Sequence, residues 1–102
     1  SGADLSGADL SDSDLSGASL WLVNLRGASL VGADLTEIDL EKALLQEANL
    51  SRADLSGAKL FLANLSRADL SGANLADADL FGADLSGVIG ADFSGALNVP
   101  DQ

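Results

Sequence analysis

Leucine recurs at every fifth residue along most of the chain, from Leu5 to Leu85. An α-helix turns about 100° per residue, so leucines five residues apart would be scattered around it. In a flat strand the side chains alternate between faces, so an odd spacing would send successive leucines to opposite sides. Neither element buries all the leucines together. The pattern therefore predicts a chain that bends once in every five residues.

The residues around each leucine complete a repeat whose commonest form is Ala-(Asp/Asn)-Leu-Ser-Gly. We call these the inner, outer and central positions, followed by the first and second corner positions. Two inward side chains separated by an outward one are typical of a short strand, and the corner pair must then turn the chain. Glycine fills only about half of the second corner positions. We therefore expect that this position does not require a positive φ.

A second, longer period indicates how many repeats make one coil of such a winding chain. Trp21, Phe61 and Phe81 all follow a central leucine, and their numbers differ by multiples of twenty, whereas a period of fifteen does not align them. The spacing predicts four pentapeptides per coil and a square cross-section. Successive coils of such a solenoid stack through backbone hydrogen bonds at about 4.8 Å.

The tandem motif, seen as ANLSRADLSGANLADADL between Ala63 and Leu80, resembles the pentapeptide-repeat proteins over about residues 1–88. The resemblance implies an all-β fold, namely a right-handed quadrilateral parallel β-helix of a little over four coils. Its Leu-centred consensus is similar to that of cyanobacterial and plastid members. Those members imply the cytoplasm or the thylakoid lumen as the location.

The register of the repeat breaks near the C-terminus. A leucine is due at position 90, but Gly90 stands there, and the motif returns only at Ala91. We predict that residues 1–88 form the β-helix and residues 89–102 an irregular cap or tail, in which Phe93 and Leu97 close the core. The N-terminal end shows no comparable cap, so Leu5 would lie at an open coil edge, and weak end-to-end self-association is expected.

Composition limits the chemistry that the chain can perform. Among 102 residues there is no His, Cys or Tyr, so no serine can be activated by a histidine and no thiolate can bind a metal. The net charge of −11 argues against nucleic acid or an anionic membrane as a partner. The apolar runs are too short to span a bilayer. We predict a protein that is not an enzyme and has no cofactor, no catalytic residue and no metal-binding residue.

The acidic residues allow three interpretations. The first is structural, since Asp and Asn alternate at the outer position and either side chain can bond to the backbone at a bend. The second follows from the resemblance, because some family members resemble DNA and bind type II topoisomerases such as gyrase. The third is weak calcium binding on stacked Asp columns. A four-repeat coil would align the candidate acidic stripe, which comprises Asp14, Asp34 and Asp54, with Glu37 and Asp77 nearby.

Large apolar residues at outward positions are the other unusual feature. We define them as the apolar face, which comprises Trp21, Leu22, Leu44, Phe61, Leu62 and Phe81. These side chains either cover one corner of the solenoid, or pack against a further segment, or form a face that binds a partner or another copy of the chain, because exposed aromatic residues cluster at interfaces. Our main hypothesis is a non-enzymatic structural or interaction module of the pentapeptide-repeat family with an unidentified protein partner.

Overall fold

A computed structural model describes residues 2–101 and shows a stack of coils joined by parallel bridges. Each bridge except the last joins two outer residues whose numbers differ by 20, so that Asn24 pairs with both Asp4 and Leu44. Residues 2–101 contain no helix and no extended strand, and hence no helix that could cross a membrane. The short strand expected from the sequence is reduced to a single bridging residue, because a corner follows on either side.

The bridging residues form four columns, one for each side of the coil. We number the sides 1 to 4 in chain order. Side 1 carries Asp4, Asn24, Leu44, Asn64 and Asp84; side 2 carries Asp9, Ser29, Asn49, Asp69 and Ile89; side 3 carries Asp14, Asp34, Asp54 and Asn74; side 4 carries Ser19, Asp39, Lys59, Asp79 and Leu97.

Backbone hydrogen bonds tie each coil to both of its neighbours. The N–H of Asn49, an outer residue, donates to the carbonyl of Ala28 in the preceding coil at 2.9 Å. The N–H of Leu50, the next residue, donates to the carbonyl of Asp69 in the following coil at 2.8 Å. The same two bonds recur along the stack, so the 20-residue register is set by the backbone and does not depend on any one side chain.

The inner and central positions supply the whole core. Every central leucine from Leu25 to Leu85 is at most 4% exposed, and the inner residues from Val23 to Ala83 are at most 7% exposed. Alanine fits beside leucine because the narrow interior has no space for two large layers. The central leucines of the first coil, from Leu5 to Leu20, are only partly buried, since that coil packs against one neighbour.

The corners contradict our expectation that the second corner position does not require a positive φ. All of these positions from Gly2 to Gly87 have φ between 57° and 70°, and the non-glycine residues among them, such as Arg52 at 59°, are no exception. Positive φ at this place is the mark of a type II turn. The N–H of Arg52 donates to the carbonyl of Ser71 at 2.8 Å. This bond between coils holds the corner in a conformation that the residue alone would avoid.

Glycine at a corner makes room for a larger side chain in the coil before it. A Cβ at Gly82 would lie 2.5 Å from Cδ2 of Leu62, and a Cβ at Gly57 would lie 2.6 Å from the carboxyl carbon of Glu37. Side chains at the second corner position therefore lean towards the following coil. Glycine therefore occurs at particular corners partly because a Cβ there would crowd the preceding coil, and not only because glycine tolerates a positive φ.

The C-terminal segment shortens the last coil by two residues. Ile89 still pairs with Asp69 at a separation of 20, but Leu97 pairs with Asp79 at a separation of 18. Phe93 is partly buried and packs against the core, as does Val99. The prediction for Leu97 is wrong, because its side chain is 47% exposed. The shortening places Leu97 at an outer position, so its side chain points away from the core.

Candidate interaction surface

Every Asp or Asn at an outer position within the described residues binds the backbone of its own corner. One side-chain Oδ1 accepts the N–H of the residue two positions further on, at 2.9–3.1 Å. The acceptors are Asp4, Asp9, Asp14, Asn24, Asp34, Asp39, Asn49, Asp54, Asn64, Asp69, Asn74, Asp79, Asp84 and Asp92. The amide and the carboxylate serve equally, which supports the structural interpretation of these residues.

Several of these carboxylates also accept a bond from the serine hydroxyl at the same corner. Ser16 donates its hydroxyl to Oδ1 of Asp14 at 2.7 Å and its N–H to the same atom at 3.0 Å. The hydroxyl bond and then the N–H bond lower the pKa of Asp14 below its ordinary value, since both favour the charged form. The same causes lower the pKa of Asp4, Asp9, Asp69, Asp84 and Asp92.

The structure brings the three aspartates of the acidic stripe into one column. Asp34 bridges Asp14 and Asp54 on side 3, and Asn74 continues the column without a charge. Glu37 and Asp77 lie at second corner positions, where side 3 meets side 4. Each stripe aspartate turns one oxygen towards its own corner, so the stripe presents carboxylates that are already partly satisfied.

The calcium alternative gains no support from this arrangement. Within residues 2–101 no group of three or more acidic side chains is placed to hold a metal ion. A calcium ion needs six to eight oxygen ligands that converge on one point, whereas the stripe carboxylates each bind the adjacent corner. The described surface also has no pocket that could enclose a small molecule.

Five members of the apolar face meet at the corner between sides 4 and 1. Backbone bonds align this corner from coil to coil: Leu22 N–H donates to the carbonyl of Glu41, Lys42 N–H to that of Phe61, and Leu62 N–H to that of Phe81. Exposure is 42% for Trp21, 44% for Leu22, 50% for Leu62 and 62% for Phe81, and Phe61 is half-buried. Leu44, the sixth member, is half-buried on side 1.

Charged side chains flank the apolar face on both sides. On side 4, Oδ1 of Asp39 accepts the N–H of Glu41, and Oδ1 of Asp79 accepts the N–H of Phe81, so both carboxylates lie directly beside the corner. Lys59 stands between these two aspartates in the same column. On side 1 the column is neutral at Asn24, Leu44 and Asn64, and it carries one carboxylate beside Phe81, that of Asp84.

Leu97 is an apolar residue that the sequence did not assign to any surface. Leu97 lies on side 4, in the coil that follows Asp79, and pairs with Asp79. Its exposed side chain is therefore close to the end of the apolar face. A five-residue count continued from Leu85 would put Leu97 at a second corner position, whereas the count resumed at Ala91 puts it at an outer position. Counting the repeat anew after the register break could have identified the outer position of Leu97 from the sequence.

The comparisons with known proteins show the family. The chain matches the family profile of pentapeptide repeats in eight copies, over residues 3–41, 24–60, 34–72, 48–87 and 58–97. No curated protein matches the sequence. This chain belongs to the pentapeptide-repeat family.

Solved structures give the same result. A pentapeptide repeat protein of the Arabidopsis thaliana thylakoid lumen is 38% identical with a TM-score of 0.64, over 81% of this chain and 61% of its own length. HetL, involved in heterocyst differentiation regulation in the cyanobacterium Nostoc sp. strain PCC 7120, is 39% identical with a TM-score of 0.63, over 87% of this chain and 45% of its own. The chain thus spans about half of the length of these two proteins.

A third solved structure is more distant. Trypsin-treated QnrB1, a plasmid-mediated fluoroquinolone resistance protein, is 25% identical with a TM-score of 0.54, over 92% of this chain and 64% of its own.

Proposed function

We propose that this chain is a non-enzymatic interaction module that binds another protein through the outer surface of its coils. The observation that carries the proposal is that most of the exposed large apolar side chains, namely Trp21, Leu22, Leu62 and Phe81, gather at one corner of a chain with a net charge of −11. The inner and central positions already fill the core, so these side chains are not required inside. Exposed aromatic residues in a cluster are characteristic of protein interfaces.

The absence of catalytic side chains agrees with this function. The sequence has no His, Cys or Tyr, and serine hydroxyls at the corners donate to neighbouring aspartates, as Ser16 does to Asp14. Asp14 accepts this hydroxyl bond and also the N–H of Ser16, and the two bonds lower its pKa, which is the opposite of what a general acid needs.

We further propose that the coils have the right-handed, four-sided form of the pentapeptide-repeat β-helix, with a little over four coils. Two observations support this form. The parallel bridges recur at separations of 20 residues, which is four pentapeptides. Parallel connections between neighbouring strands are right-handed in nearly all proteins.

Selective retention of a partner tests the proposed function. The chain would be immobilised and exposed to an extract of the cells that express it, beside the Leu50→Lys variant, in which a charge replaces a buried core leucine. We expect at least one protein to be retained in stoichiometric amount by the folded chain and not by the variant. Equal retention of all proteins by both columns would contradict an interaction function.

DNA mimicry directed at a type II topoisomerase is the second candidate. It is supported by the column of Asp14, Asp34 and Asp54 and by the likeness to QnrB1. We place it second because each of these carboxylates binds its own corner and because Asn74 ends the column. A gyrase supercoiling assay tests it, and no inhibition or protection at tens of micromolar would contradict it.

A further inference from the structure

We propose that the apolar face binds a basic amphipathic segment of the partner protein, an inference that deepens the interaction function proposed above and rests on it. The segment lays its apolar side chains along the corner between sides 4 and 1, and it directs lysine or arginine side chains towards side 4. Three features of the described residues lead to this partner, namely the length of the apolar face, the charges beside it, and the charge of the whole chain.

The length of the apolar face suits a short helix. Trp21 and Phe81 are three coil steps apart, which is about 14 Å at about 4.8 Å per step. A helix of about ten residues has that length, and its turns of about 5.4 Å bring apolar side chains to one face at nearly the interval of the coils. Such helices present apolar anchors to protein surfaces at spacings of three and four residues.

The third coil defines where the helix must carry a polar residue. Glu41 and Lys42 occupy the corner between Trp21 and Phe61, and Lys42 is exposed. An apolar residue of the partner placed over Glu41 and Lys42 would bury these charged side chains, which costs free energy. The partner segment therefore has two apolar stretches separated by a polar position, the first facing Trp21 and the second facing Phe61, Leu62 and Phe81.

The sign of the partner's charge follows from side 4. Asp39 and Asp79 lie directly beside the corner, and Glu37 and Asp77 stand at the corner where side 4 begins. Against these four carboxylates there is one ammonium group in the column, that of Lys59. Charged groups across an interface are arranged in complementary fashion, so the partner's flank towards side 4 is basic.

A second copy of this chain fits the apolar face less well than a basic partner. Each copy carries a net charge of −11, and pairing two apolar faces would bring their flanking carboxylates together. Like charges placed opposite each other at an interface cost several kcal/mol. The acidic balance of the whole chain attracts a basic segment instead and accelerates its association.

A model peptide tests the inference, and Trp21 supplies the signal because it is the only tryptophan and belongs to the apolar face. The probe is a synthetic helical peptide of leucine and lysine, about 18 residues long, beside a leucine and glutamate peptide with the same pattern. We expect the lysine peptide to shift the emission of Trp21 to shorter wavelength in a saturable manner. A glutamate peptide that binds as tightly would overturn the charge assignment.

A double variant and a control variant locate the binding site. Combined Phe61→Ser and Leu62→Ser should weaken the lysine peptide at least about tenfold, as truncation of central interface anchors does. Ile89→Ser is the matched control, since Ile89 is an exposed apolar residue on side 2, and it should leave the affinity within about twofold. Equal loss in both would overturn the inference.

A further set of variants removes carboxylate charges but keeps the side-chain oxygen that accepts the backbone N–H at each corner. Asp39→Asn with Asp79→Asn retains the Oδ1 acceptor that Asn supplies at Asn24 and Asn64, and should weaken binding several-fold at low salt. Asp14→Asn with Asp54→Asn removes the same charge from side 3 and should change little. If the side 3 pair has the larger effect, the peptide binds the acidic stripe. That result would overturn this inference and leave the interaction function standing.

Discussion

At the outer positions, a bond to one side-chain oxygen explains why Asp and Asn are the commonest residues, although Leu44 and Lys59 also stand there. Oδ1 of Asp54 accepts the N–H of Ser56 at 3.0 Å, and Oδ1 of Asn49 accepts the N–H of Ser51 at the same distance. The bond satisfies a backbone donor where the chain turns, which neither a leucine nor a lysine can do. Most of the acidic character of the chain is therefore a consequence of how its corners are built.

The pKa of Asp14 tests this account of the outer residues. The largest cause of the lowered pKa is the bond from the Ser16 hydroxyl. Ser16→Ala should therefore raise the pKa of Asp14 towards its ordinary value of 3.8 while keeping the N–H bond. Carboxyl-carbon NMR titration measures this directly. Ser51→Ala is the control, because the outer residue at the corner of Ser51 is Asn49, which carries no carboxyl group. An unchanged pKa of Asp14 in Ser16→Ala would contradict the assigned cause.

The direction of this shift sets its effect on stability. A carboxyl whose pKa is lower in the folded state than in the unfolded state stabilises the fold above the unfolded value, here 3.8. That contribution is lost as the pH falls from 3.8 through the lower folded pKa. Between pH 5 and pH 8 these aspartates contribute no pH dependence, since they are charged in both states.

The positive φ of the second corner position makes a separate prediction about glycine. Gly27 has φ of 66°, and a Cβ there would meet no atom within 4 Å, so Gly27→Ala adds only backbone strain. We expect a loss of about 1–2 kcal/mol in the free energy of unfolding, measured with urea. Lys42→Ala, at φ of 58° and exposed, already has a Cβ and should change it by less than about 0.5 kcal/mol. Equal effects would mean that the corner does not hold this φ in solution.

At the scale of one repeat, stability comes from two inward side chains and from bonds to both neighbouring coils. Leu50 is fully buried, and its N–H bonds to Asp69 in the next coil. Ser51, the next residue, belongs to the corner and is half-buried. The alternation between core and surface within two residues is the feature that the repeat depends on.

A lysine placed at each of these two positions tests that alternation. Leu50→Lys should abolish cooperative folding, because an unpaired ammonium would enter a dry core. Ser51→Lys should change the free energy of unfolding by less than about 0.5 kcal/mol, as most surface substitutions do. Circular dichroism with urea titration measures both. Similar unfolding curves for the two variants would show that the inward and outward assignment is wrong.

The five-residue period was enough to predict the core, since each central leucine must point inward for the pattern to be buried. The conformation of the corner was not predictable, because residues as different as Leu62 and Arg67 adopt the positive φ that bonds between coils impose. The place of Leu97 was predictable but was missed. Counting five residues on from Asp92, the outer residue of the motif that resumes at Ala91, gives Leu97 an outer position.

The apolar face was predictable from the 20-residue period, whereas the positions of the carboxylates beside it were not. Aligning Trp21, Phe61 and Phe81 requires only the count of repeats per coil. That the carboxylates of Asp39 and Asp79 bond to the backbone of this corner follows from side-chain geometry. Whether these residues form a binding site remains a proposal that the peptide experiment tests.

At the scale of the whole molecule, the two ends of the stack differ. Phe93 and Val99 pack against the core at the C-terminal end, whereas Leu5, Leu10 and Leu15 are only partly buried in the first coil. In the same coil the backbone N–H groups of Asp9 and Asp14 have no partner among residues 2–101. An edge of this kind can pair with another strand.

We therefore propose weak end-to-end self-association of this chain through its first coil. Sedimentation between about 10 µM and about 1 mM should show a concentration-dependent rise in mass, stronger at high salt because the net charge of −11 is then screened. Leu5→Glu should reduce it, and Phe61→Ser should not, since Phe61 lies at the side of the stack. A strictly monomeric chain at the highest concentration would rule out this association.

The 20-residue register underlies the acidic stripe, the apolar face and the proposed partner, so its measurement is the most direct test of the account. Asn49 bridges Ser29 and Asp69. Parallel neighbours lie about 4.8 Å apart, close enough for nuclear Overhauser effects between their backbone protons. We predict such effects from Asn49 to Ala28, Ser29 and Asp69. Effects from Asn49 to Asp34 and Asn64, which are fifteen residues away, would show three repeats per coil and would contradict the account.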